Sequence, residues 1–263
     1  MKISNPKKLK QKDLIVFDLD GTVTESKSPM DRGMSSLFAK LLEKKKVAVI
    51  SGAIYSIFQK QFLKSLKADR NLHRNLFLFP TTGTAFYQYK NGWKKVYSLD
   101  LSRQEKKMIR QAFKEALEEI GYTPPPKIYG EILEDRNTQM TYSFLGQDVV
   151  KILGRRGLKL KTDWRNKNTK LKLKIAKLVA KRLPKFEVRA AGYTSIDVTK
   201  KGVDKAYGLK QMQKHLKIPI KEMLFVGDAI FPGGNDYAAL KTGVDYVAVK
   251  GPGETKKLIK III

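Results

Sequence analysis

Three apolar runs in the first eighty residues share one pattern. Leu14-Ile15-Val16-Phe17, Val47-Ala48-Val49-Ile50 and Leu76-Phe77-Leu78-Phe79 are continuous rather than alternating, which predicts strands buried on both faces. Between the first two, Met34, Leu37, Phe38, Leu41 and Leu42 recur at helical spacing within residues 30–46, and the segment closes on Lys44-Lys45-Lys46, where a helix dipole favours cations. A second helix is expected from about Tyr55 to Lys67. Strand, helix, strand, helix, strand predicts a parallel sheet with right-handed crossovers.

The pattern then changes. Aromatic runs flank Asn91-Gly92 within residues 84–97, a hairpin signal. Ser102 to Ile120 reads as an amphipathic helix with Ser102 as N-cap, Glu105 three residues on and Gly121 after its end. Pro124-Pro125-Pro126 marks a stiff loop, Gln139 to Phe144 alternates as a strand, Asn168 to Leu183 is helical, and Phe186–Arg189 and Thr194–Val198 are short strands. From Lys205 the first style returns: a helix to Lys217, an apolar strand Met223–Gly227 ending at Asp228, a strand Val244–Val249 and a helix Glu254–Lys260. The expected class is therefore α/β, with a discontinuous core (residues 1–85 and 200–263) and an α+β domain (86–199) inserted through linkers near 84–86 and 199–202.

Composition narrows the chemistry. Among 263 residues there is no cysteine and there are two histidines, His73 and His215, which excludes thiolate centres, cysteine nucleophiles and a three-histidine metal site. The amino-terminal stretch has no apolar run long enough for a signal peptide, and no segment reaches membrane-spanning length. A cytoplasmic protein without a membrane partner is the expectation. The net charge is +28, with 42 Lys to 11 Arg, and residues 151–185 carry 14 basic residues against the single acid Asp163. Such a block fits either a solvated face or an anionic partner. The scarcity of arginine forks makes nucleic acid the remote alternative.

Chemistry must then come from acids, hydroxyls and lysines. Asp18 and Asp20 end the first apolar run and Asp228 ends a later one, with Asp236 shortly beyond. Acids converging at the carboxyl edge of a parallel sheet repel unless a divalent cation neutralises them, and oxygen ligands favour Mg2+. A lone Asp in such a place is commonly only a cap.

Four features occur together and in order: Asp18-Leu19-Asp20-Gly21-Thr22, Ser51-Gly52, Lys205 at a helix start, and Gly227-Asp228 followed by Asn235-Asp236. The set resembles the haloacid dehalogenase superfamily of phosphotransferases, with a Rossmann-like core and an inserted cap domain. The resemblance implies that Asp18 is the nucleophile, that Asp20 acts as general acid and base, and that Ser51 and Lys205 hold the transferred phosphoryl group. It further implies that Gly21, Thr22 and Gly52 line the phosphate site, that Asp18, the Asp20 carbonyl and Asp228 bind Mg2+, and that Asn235 and Asp236 orient these groups from behind.

Within the superfamily the chain is most similar to the phosphomannomutase-related branch with the C2b cap. The loop from Gly227 to Asp236 contains Pro232-Gly233-Gly234, Ser195-Ile196-Asp197-Val198 precedes Gly202-Val203-Asp204-Lys205, and Glu134-Asp135-Arg136-Asn137 precedes Leu145-Gly146. This implies that Arg136, Ser195 and Asp197 contact the substrate, and that the cap forms a homodimer. The chain departs from that branch at Gln147 and near Gly154, where the mutases carry arginines, and at Thr81-Thr82-Gly83, where they carry Glu-Asn-Gly. Losing arginine forks weakens the handling of a doubly phosphorylated intermediate more than simple hydrolysis. The expected activity is a Mg2+-dependent phosphatase acting on a phosphorylated sugar or similar small metabolite. The alternative is a phosphomannomutase or phosphoglucomutase requiring a hexose 1,6-bisphosphate activator.

Overall fold

A computed structural model describes residues 6–25 and 28–263; Met1–Asn5, part of the stretch read for a signal peptide, lies outside the described residues. The chain divides into two compact units, Met1–Ser98 with Val203–Ile263, and Leu99–Gly202.

The first unit is built on a seven-stranded sheet. Its strands are β1 (Leu14–Asp18), β2 (Lys46–Ile50), β3 (Leu76–Phe79), β4 (Ala85–Tyr89), β5 (Trp93–Ser98), β10 (Met223–Gly227) and β11 (Asp245–Ala248). They lie in the order β11-β10-β1-β2-β3-β4-β5, the first five parallel and the last two antiparallel. The continuous apolar runs are explained by burial on both faces. Ile15, Phe17, Val47, Val49, Leu224 and Val226 pack under the helices Arg32–Lys44 and Pro252–Ile262, while Leu14, Val16, Ala48, Ile50 and Phe225 pack with Leu209 and Met212 of the helix Lys205–Leu216.

Two expectations change here. The hairpin read as the start of the inserted domain continues the core sheet, because Phe86 stacks on Phe79 of β3 at 4.5 Å and Tyr87 stacks on Tyr55 at 3.8 Å. The helix expected over 55–67 is one α-helical turn, Tyr55–Ile57, followed by a π-helical stretch, Phe58–Leu63. Ser35 then gathers the chain, its Oγ donating to Ser65 O and accepting from Lys67 N.

The second unit carries an antiparallel sheet formed by Leu133–Asp135 (β6), Gln139–Ser143 (β7), Phe186–Ala191 (β8) and Ser195–Lys200 (β9), in the order β6-β7-β9-β8. One face packs Met140, Tyr142, Ile196 and Val198 against Ile109 and Phe113 of the helix Arg103–Glu119 and Ile175 and Val179 of the helix Arg155–Arg182. The expected capping box is present: Ser102 Oγ accepts from Glu105 N, and Glu105 accepts from Ser102 N. The second helix begins at Arg155, thirteen residues before the expected start at Asn168. Gly157 permits backbone contact with Val149, and Phe144 stacks on Trp164 at 4.6 Å, so tertiary contacts extend a helix whose early turns lack an apolar stripe.

Candidate active site

Strand β1 delivers Asp18 to the carboxyl edge of the sheet, and the chain then turns sharply. Leu19 O accepts from the amides of Val23 and Thr24, and Gly21 N donates to Thr24 O at 2.8 Å. The turn requires Gly21 at φ +84°, and the residue has no room for a side chain: a β-carbon would lie 2.5 Å from Asp228 Oδ2. Thr22, fully buried, donates from Oγ1 to Asp228 Oδ1 at 3.2 Å. Asp228 follows the adjacent strand β10, so one pair of neighbouring strands carries both acids.

Lys205 reaches this edge from the first turn of its helix, whose N-cap Asp204 accepts from Tyr207 N. Its ammonium is 2.5 Å from Asp18 Oδ1 and 3.3 Å from Asp236 Oδ1, and it donates to Ile50 O at 3.1 Å. Asp18, Lys205 and Asp236 are all at most 3% exposed. Burial pushes the Asp18 carboxyl up to about 7, Lys205 opposes that rise, and Asp236 and Asp228 reinforce it. Burial also raises Asp228, with Asp236 adding to it. Burial works against the Lys205 charge, yet Asp18 and Asp236 hold its pKa above the ordinary lysine value. Ser51, also buried, accepts from Ala53 N through Oγ at 3.1 Å, and Gly52 beside it is exposed.

The donor set fits a hard divalent cation. Asp18, Asp228 and Asp236 each offer a carboxylate oxygen, and these oxygens lie within 4.8 Å of one another. Three carboxylates against one ammonium leave two negative charges in a largely buried cluster. Asp236 Oδ1 is buried with the Lys205 ammonium at 3.3 Å as its polar neighbour, while Oδ2 accepts from Ala229 N. Oxygen-only ligation of this kind suits Mg2+. Asp236, expected behind the metal ligands, thus stands among the clustered acids, whereas Asn235 beside it is exposed. The Asp20 side chain is not part of that cluster. It sits in the turn, paired in a bridge with Thr24.

A family model of haloacid dehalogenase-like hydrolases matches residues 15–251. The chain belongs to this family. A phosphomannomutase of Encephalitozoon cuniculi is 25% identical over 95% of this chain and 93% of its own length. The Saccharomyces cerevisiae phosphomannomutase is 24% identical over 96% and 94%. In fold the chain is similar to IMP-bound Plasmodium falciparum IMP-nucleotidase, with a TM-score of 0.66 at 17% identity over 98% of this chain and 71% of that one. It is also similar to a haloacid dehalogenase-like hydrolase of Bacteroides thetaiotaomicron, with a TM-score of 0.64 at 14% identity over 96% and 100%. The protein is an enzyme of the hydrolase family with an α/β core. Among the described residues, no helix is long and apolar enough to cross a membrane.

The expected substrate contacts of this family member in the inserted unit form their own network. Asp197 on β9 lies opposite Thr141 on β7 and accepts from its hydroxyl at 2.8 Å, while Gln139 Nε2 donates to the same hydroxyl oxygen. Burial raises the Asp197 carboxyl, and Arg136 and Thr141 counter it. Arg136 makes two contacts of 2.7 Å with Glu134 Oε2, so its charge is already partnered. Ser195 is half-buried at the start of β9. Thr141 was not anticipated as a site residue, although its place between Met140 and Tyr142 put it on the polar face. Gln147 Nε2 donates to Thr141 O at 2.9 Å, which anchors the side chain at the position where the resemblance led us to look for arginine.

One further feature adjoins Ser51. Thr81 and Thr82 both have left-handed backbone, φ +47° and +59°, a region that β-branched residues avoid. Thr82 N donates to Ser51 O at 2.8 Å, and Thr81 N donates to Ala53 O at 2.9 Å. These bonds hold the strained pair against the Ser51 turn.

Proposed function

We propose that this chain is a Mg2+-dependent phosphatase that cleaves a phosphorylated sugar or similar small metabolite through a phosphorylated Asp18. The observation that carries the reading is the buried Asp18–Lys205–Asp236 contact beside Asp228. An Asp18 oxygen attacks phosphorus, the bond to the ester oxygen breaks, and Asp20 gives that oxygen a proton. Asp20 then takes a proton from the water that attacks the aspartyl-phosphate, releasing inorganic phosphate and restoring Asp18. Lys205, Ser51 Oγ and the Gly52 amide meet the charge on the phosphoryl oxygens. Mg2+, held by Asp18, Asp228 and the Asp20 carbonyl with Asp236 adjoining, supplies further positive charge when bound.

A panel of phosphate monoesters assayed with Mg2+ and with chelator tests this reading. Phosphate release that requires Mg2+ and vanishes in Asp18→Asn supports it, and undiminished release by that variant refutes it.

The extended similarity to phosphomannomutases favours a mutase as second reading. Against it stand Gln147, tied to Thr141, and Arg136, tied to Glu134. Conversion of mannose 1-phosphate to the 6-phosphate with added hexose 1,6-bisphosphate would establish the mutase; phosphate release without isomerisation would dismiss it. A homodimer through the inserted unit belongs to either reading and is checked by light scattering.

A further inference from the structure

The helix Arg155–Arg182 presents a feature that phosphate-ester hydrolysis does not use. Positions 156, 159, 163, 167, 170, 174, 177 and 181 follow one another at three or four residues, so they share an arc of about 80° and span about 38 Å of axis. Seven of the eight are basic: Arg156, Lys159, Lys167, Lys170, Lys174, Lys177 and Lys181; the exception is Asp163. All are exposed, and none of the seven forms an ion pair with a described acid. The opposite face, with Ile175 and Val179, is committed to the unit's own core.

The row is not a general consequence of a lysine-rich chain. The neighbouring helix Arg103–Glu119 has five basic residues and four acids and makes the Lys114–Glu118 contact along its surface. In the lysine row, successive cations at i,i+3 and i,i+4 repel, and each such pair opposes the helix by about 0.2–0.5 kcal/mol. A linear polyanion removes that repulsion.

We propose that this face binds the phosphodiester backbone of nucleic acid without reading sequence. The array is narrow, bordered by Leu171 and Leu178 on one side and by Asn166, Thr169, the exposed Leu173 and, at its start, Arg155 on the other. It matches a chain-like anion better than a planar anionic lipid surface. The apolar face that would insert into lipid, with Ile175 and Val179, is already buried, and the exposed Leu158 and Leu173 form no continuous stripe. The outward arc has no aromatic platform and a single arginine, Arg156, at one end, so contact is with phosphates rather than bases.

The test is fluorescence anisotropy of the full chain with a 20-base-pair DNA duplex, a single-stranded RNA and phosphatidylserine vesicles across a salt series. Wild-type protein should bind nucleic acid, and six phosphate contacts would lower its affinity about a thousandfold between about 50 and 200 mM salt. The variant with Lys167, Lys170, Lys174 and Lys177 all changed to Gln should lose at least tenfold in affinity and show a shallower salt slope. A control with exposed Lys40, Lys94, Lys95 and Lys257 changed to Gln removes the same charge elsewhere and should stay within about threefold of wild type. Circular dichroism checks folding, and the double variant Lys170→Gln/Lys177→Gln should give an intermediate slope. Equal losses in the two quadruple variants, no binding by wild type at low salt, or binding to vesicles alone would each overturn the proposal.

Discussion

Gly21 and Asp228 come so close that a single methyl group on residue 21 would overlap the Asp228 carboxylate. The contact joins the turn after β1 to the end of β10. Gly21→Ala adds that overlap to a left-handed φ. It should cost about 1–3 kcal/mol of stability and reduce Mg2+-dependent phosphate release more than a hundredfold. Thermal unfolding and steady-state kinetics on the same preparation measure the two effects separately.

Asp18 makes stability depend on pH in a defined direction. Its carboxyl rises from 3.8 to about 7 on folding, so between those values the native state binds the extra proton and stability falls as pH rises. In chelator, the stability of wild type relative to Asp18→Asn should therefore decline between about pH 4 and 7 and recover when Mg2+ is added. Urea unfolding of both proteins at several pH values checks this. A difference that rises with pH would show that Lys205 outweighs burial.

Lys205 is the only cation among the described residues that touches both Asp18 and Asp236. Lys205→Met removes half of a buried pair, which typically costs about 3–5 kcal/mol. The loss should be smaller at pH 5, where Asp18 takes up a proton, and smaller in saturating Mg2+. Differential scanning calorimetry under the four combinations of pH and metal measures it.

The left-handed threonines store strain beside Ser51. Thr82→Asn places a residue more tolerant of that region at φ +59° and should raise stability by up to about 1 kcal/mol. Because Thr82 N holds Ser51 O, catalytic turnover reports independently on the position of the Ser51 turn. An unchanged or lowered unfolding temperature would mean that the surroundings, not the residue type, impose the geometry.

In the inserted unit, Thr141→Val keeps the shape but removes the hydroxyl that Asp197 accepts from. It should destabilise by about 1–3 kcal/mol and raise the Asp197 carboxyl further, observable in its carbon chemical shift against pH.

Much of the core was legible because local and long-range signals agreed. The apolar runs of β1, β2, β3 and β10 were long enough to require burial on both faces, and their terminal acids pointed to one sheet edge. The hairpin was recognised from Asn91-Gly92, but not its partner, since nothing local states that Phe86 stacks on Phe79. The early turns of the helix Arg155–Arg182 were missed for a similar reason: Gly157 and Trp164 act through contacts distant in sequence. That Asp236 brings an oxygen within 4.8 Å of those of Asp18 and Asp228 depends on the path of the Gly233-Gly234 turn and on no periodic pattern. Thr81 and Thr82 carried no signal, because threonine gives no sign of a left-handed backbone.

The strand order has a consequence for the newborn chain. β1 is made first, yet one of its hydrogen-bonding edges is completed only by β10, after more than two hundred further residues have left the ribosome. Until then that edge is open to pairing with other chains, and the second unit, whose strands and helices are all contained in residues 99–202, has time to close beforehand. Asp228 therefore comes beside Asp18 only once Met223–Gly227 has been made and has docked on β1.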